Sequence, residues 1–118
     1  MIDYRSPDGG VMEFHVSGKV TKDEIDATWT RLRADLPATG KIRVLEVIDH
    51  LEGIEPAAFW EDLRQGLPMF GRIERAAVVS DRRWIEVLSR IGNVFSSGEI
   101  RTFEPGEIAA ARAWLKAA

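Results

Sequence analysis

The apolar positions of this chain change period repeatedly, and the changes divide it into elements. Met12, Phe14 and Val16 alternate with Glu13, His15 and Ser17, the period of a strand with one buried face. Residues 1–18 therefore predict a hairpin, two extended segments around Pro7-Asp8-Gly9-Gly10, whose residue types set or permit turn angles. The period then lengthens. Thr21 and Glu24 have the spacing of a capping box, and Ile25, Trp29, Leu32 and Leu36 follow at intervals of three to four, which predicts a helix over residues 21–36.

Beyond Pro37 and Gly40, "KIRVLEVID" is apolar on both parities and reads as a strand covered on both faces. "HLEGIEP" reads as a loop, and Pro56 suits the first turn of a helix in "AAFWEDLRQGLPMFG" that Gly66 and Pro68 interrupt. "AAVVS" is a second wholly apolar strand. A further helix is expected from Trp84, with Val87, Leu88 and Ile91 on its stripe. "EIRTF" reads as a more exposed strand, and "GEIAAARAWLKAA" as a closing helix striped by Ile108, Ala111 and Leu115. The order β-β-α-β-α-β-α-β-α requires crossover connections. It therefore predicts an α/β fold, a mixed, mostly parallel sheet of about five strands with four helices. No repeat, linker or low-complexity tract divides it, and 118 residues suit a single domain over 1–118.

Composition narrows the function classes. A formal charge of −3 argues against a broad grip on nucleic acid or anionic lipid. The chain has no cysteine, so thiol catalysis, thiolate metal sites and disulfides are excluded together. The start, "MIDYRSPDGG", lacks the basic and apolar runs of a signal peptide, and no stretch has membrane-spanning length. A cytoplasmic protein without membrane insertion is expected.

The element order, with "VSGKVTKDE", "LEVIDHLEG", "FWEDL", "RAAVVSDRRWIEVLSRIG", "IRTFEPGE" and "AARAWL", resembles the bacterial SpoIIAA-like proteins. These are relatives of the STAS domain of anti-sigma-factor antagonists. The resemblance covers nearly the whole chain and implies a STAS-like sheet with helices. It implies two kinds of role: phospho-switched protein binding, as in the antagonists, and hydrophobic-ligand binding, through a distant similarity to CRAL-TRIO lipid carriers. The switched antagonists carry an aspartate at the end of the second crossover strand and then a serine or threonine. Asp49 matches the aspartate, but "HLEGIEP" has no hydroxyl, so the phosphoswitch is lost at that place.

In open sheets of this kind, partners meet the loops beyond the carboxyl ends of the parallel strands. The candidate binding residues there are Asp49, His50 and Gly53, together with Ser80, Asp81 and Arg82. "VVSDR" lacks the flanking glycines of a nucleophile elbow, so Ser80 or Asp81 reads as a helix cap and no catalytic residue is assigned. Arg82 and Arg83 offer a local anion site or a solvated surface. Asp49, His50 and Glu52 crowd one loop and do not supply the converging ligands a metal needs, so neither metal nor cofactor is expected. Glu61 and Asp62 read as solubilising charge.

Aromatic density adds the last candidates. Phe59, Trp60, Leu63, Leu67, Met69 and Phe70 fall within one short stretch. Trp60, Leu63 and Leu67 form the stripe expected to pack on the sheet, leaving Phe59, Met69 and Phe70 for a groove or a dimer contact. The expected function is a non-enzymatic STAS-like binding module acting through protein contact as a homodimer or with another protein. The alternative is a carrier or sensor of a small apolar, lipid-like ligand.

Overall fold

The structure is a computed structural model that describes residues 1–8, 10–81, 86 and 98–118. Five strands form one sheet in the order β1-β2-β3-β4-β5. They are β1 (Ile2–Asp8), β2 (Val11–Val20), β3 (Ile42–Ile54), β4 (Ile73–Val79) and β5 (Glu99–Phe103). β1 and β2 are the antiparallel hairpin, and every other neighbouring pair is parallel, the mixed sheet that the element order predicts. Three helices are described: α1 (Lys22–Asp35), α2 (Pro56–Gly66) and α3 (Ile108–Lys116). The helix expected from Trp84, with Arg82 and Arg83 before it and the burial of Trp84, lies outside the described residues apart from Glu86, which is helical.

Local chemistry places the helices as the sequence suggests. Thr21 caps α1 with a complete capping box: its hydroxyl accepts from the Glu24 amide while the Glu24 carboxylate accepts from the Thr21 amide. Pro56 opens α2 in its first turn, and the helix gives way at Gly66 to a 3-10 turn over Leu67–Arg72, where Pro68 cannot supply an amide hydrogen. Arg43 from β3 and Arg75 from β4 donate to the carbonyls that end α3, at Leu115 and Trp114 respectively. They place positive charge where the helix dipole is negative.

The sheet is covered on both faces, as the two-sided apolar strands require. On one face α3 lays Ala111 and Leu115 over Val11, Leu45, Val47, Ala77 and Val79. On the other, α1, α2 and the 3-10 turn bring Leu32, Trp29 and Met69 onto Met12, Ile42 and Val44, while Ile25 and Ala58 pack on Val16 and Val20. At the hairpin edge of the α3 face, Glu13 receives both Arg112 Nε and Nη2, at 3.0 and 2.9 Å, as well as Arg5 and His15. These contacts hold the Glu13 carboxyl at about 2, with the Arg112 hydrogen bond the largest cause.

Two expectations are corrected. β3 does not end at Asp49. It runs to Ile54 and stays paired with β2 through Gly53 and Ile54, so most of the expected loop from His50 to Pro56, its residues 50–54, is strand. Two left-handed residues, Gly18 at φ 62° and His50 at φ 51°, lie where the β2–β3 register shifts. They let both strands bulge and continue pairing. The second correction concerns α2. Trp60 and Leu67 are 65% and 46% exposed, and the helix packs inward through Ala58 and Gly66 instead. A Cβ built on Gly66 would meet the Trp29 ring at 3.4 Å, so this crossing of α1 and α2 selects small residues and turns the large ones outward.

Candidate functional site

The rim beyond β2 and β3 is an open cleft lined by Lys19, Glu52, Gly53, Glu55 and Pro56. Two bonds build it from the strand ends: the Glu55 amide donates to the Val20 carbonyl at 3.0 Å, and the Lys22 amide donates to Glu55 Oε1 at 3.2 Å. Of the candidate residues, Gly53 lines this cleft. Asp49 and His50 stand beside it on the extended strand, strongly exposed and 3.4 Å from each other.

From the cleft, α2 carries an exposed apolar face. Pro56, Ala57, Trp60, Arg64 and Leu67 recur at helical spacing and all are exposed. Phe59 lies beside this row, 44% exposed, with its ring edge-on to Trp60 at 5.6 Å. Ile54 extends the apolar surface to the end of β3. Met69 does not belong to it, because its side chain packs into the core with Leu32 and Ile42. Phe70 is half-buried beside Gly66.

Ser80 is only 1% exposed. Its amide donates to the Phe103 carbonyl at 3.1 Å, continuing the β4–β5 ladder, while its hydroxyl has no hydrogen-bond partner among the described residues. The start of the helix that Ser80 or Asp81 is expected to cap lies outside the described residues. Asp81 is exposed at the strand end, and Arg82 lies outside the described residues.

One acidic group lies outside the residues that the sequence singles out. Glu46 sits in the middle of β3, the central strand, on the face covered by α1 and α2. Phe14 pairs beside it from β2 and Val78 from β4, and Val44 and Ile48 flank it along its own strand. It is half-buried and has no hydrogen-bond or ion-pair partner among the described residues. Desolvation and the neighbouring Asp62 carboxylate push its carboxyl up to about 7. Asp62, exposed on α2, is itself raised by desolvation against the opposing effect of a hydrogen bond from the Trp29 indole. Asp62 is thus more than solubilising charge. The signal for Glu46 was present in the sequence as one acid inside a strand apolar on both parities.

The SpoIIAA-like family model matches residues 11–116. The chain belongs to the SpoIIAA-like family. A crystal structure of an uncharacterised DUF3478-family protein from Shewanella loihica PV-4, with a SpoIIAA-like fold, is similar to it at a TM-score of 0.81 and 29% identity. That similarity covers 98% of this chain and 92% of the other. No curated protein matches it. Among the described residues of this SpoIIAA-like chain, no three His, Asp or Glu side chains are grouped to hold a metal ion, and no helix is long and apolar enough to cross a membrane.

Proposed function

We propose that this SpoIIAA-like protein is a non-enzymatic cytoplasmic binding module whose contact surface is the outward face of α2, and that its partner is a second copy of the same chain. The observation that carries this reading is the inversion of α2. A helix that turns Ala58 and Gly66 to the core and leaves Phe59, Trp60 and Leu67 in water keeps apolar area whose burial awaits a partner. Aromatic residues of this kind anchor protein interfaces. The charges around the patch are of both signs, Lys19, Glu52, Glu55 and Arg64, which suits a self-complementary contact about a two-fold axis better than a strongly charged partner. Trp60→Glu tests it: light scattering should report a folded monomer for the variant and a dimer for the wild type. An unchanged dimer in the variant contradicts the choice of surface.

The second reading is a small apolar ligand held beneath α2. The observation in its favour is Glu46, which keeps part of its surface open at the centre of a sheet face otherwise covered by apolar side chains. Binding of alkyl probes to the wild type tests this reading.

A further inference from the structure

We propose that the sheet face carrying Glu46 and Ser80 holds the ammonium group of a small organic amine, with Glu46 as its principal partner, Ser80 as a further acceptor and the exposed Asp62 of α2 at its edge. The inference rests on the second reading above and gives its ligand a charge.

Carboxylates inside proteins are held by cations or by hydrogen-bond donors, because transfer out of water is otherwise costly. Glu46 has neither among the described residues. Its cross-strand neighbours are Phe14 and Val78, and α2 sets near it a second carboxylate, Asp62, whose hydrogen-bond partner among the described residues is the neutral indole of Trp29. Local electrostatics therefore favour an added positive charge.

Ser80 supplies a separate observation. It follows Val78 by two residues, so strand alternation puts it on the same face as Glu46 and one step further along. Its hydroxyl is buried and unpaired among the described residues, and such groups are rare without a ligand or water to satisfy them. A primary ammonium has three donors, and this face offers it Glu46 and Ser80, with Asp62 at its edge, none of which has a charged partner among the described residues. The apolar surroundings, Phe14, Val44 and Ile48, suit the hydrocarbon part of the same molecule.

Titration calorimetry of the full chain with n-hexylammonium, hexan-1-ol and hexanoate tests the assignment, at about pH 8 where a carboxyl near neutrality is mostly ionised. The amine should bind at least about tenfold tighter than the alcohol, a difference of about 1.4 kcal/mol, and hexanoate should bind worst. Glu46→Gln removes a desolvated charge without changing shape; it should fold at least as well as wild type and lose the preference for the amine. Ser80→Ala should weaken amine binding without lowering the melting temperature. Equal binding of alcohol and amine, or a preference intact in Glu46→Gln, overturns the proposal while leaving an apolar ligand site standing. Failure of all three probes to bind overturns both.

Discussion

The Trp29 indole N–H donates to Asp62 Oδ1 at 2.9 Å, and this bond fastens α1 to α2 above the sheet. The Trp29 ring also fills the space that the missing side chain of Gly66 leaves. One residue thus sets both the spacing of the two helices and the position of a carboxylate. Trp29→Phe should keep most of the packing and lose the hydrogen bond, lowering stability in urea unfolding by about 1 kcal/mol. A variant as stable as wild type would show that the bond contributes nothing.

Glu46 should cost stability at neutral pH. Its carboxyl is raised from 4.5 to about 7, so the folded state holds the proton more tightly than the unfolded chain. The penalty is therefore absent below the ordinary glutamate range, grows as pH rises toward 7, and is constant above. Glu46→Gln should match wild type near the acid end of that window and exceed it by about 1–3 kcal/mol at the alkaline end. Denaturant melts at the two ends check this, and a gap independent of pH contradicts it.

Glu13 has the opposite sign. Arg112 and His15 lower its carboxyl from 4.5 to about 2, so its contribution is present above the ordinary glutamate range and is lost as pH falls toward 2. The group is partly screened by solvent. Glu13→Gln should lose about 1–2 kcal/mol at neutral pH, and the loss should shrink in acid melts as the wild-type carboxylate protonates. A loss that persists unchanged at the acid end points to packing instead of charge.

Ser80→Ala should be neutral or should raise stability by up to about 1 kcal/mol, because a buried hydroxyl without a partner is desolvated for no return. A clear drop in melting temperature would mean that the hydroxyl is satisfied in solution.

Much of the fold is legible in the residues, for local reasons. Thr21 and Glu24 declare the start of α1, alternation from Met12 to Val16 declares β2, and the two-sided apolar run after Lys41 declares a strand covered by helices on both faces. The site is less legible because it depends on which face of α2 wins. Hydrophobicity alone ranks Trp60 and Leu67 as core. The close approach of Trp29 to Gly66 is a tertiary fact, and it gives the inner face to Ala58 and Gly66. The extension of β3 past Asp49 likewise depends on His50 accepting a left-handed angle, which periodicity does not reveal. Glu46 was hidden by its neighbours, since a pattern counted by apolar frequency passes over one exception.

The proposed dimer surface admits a direct measurement, because the chain contains no cysteine. Arg64 is exposed between Trp60 and Leu67 on the outward face of α2, and Thr30 is exposed on α1. Under a mild oxidant, Arg64→Cys should convert to a covalent dimer while Thr30→Cys stays monomeric, as a two-fold contact through α2 requires. An Arg64→Cys chain that remains monomeric, or that links no better than Thr30→Cys, contradicts the account.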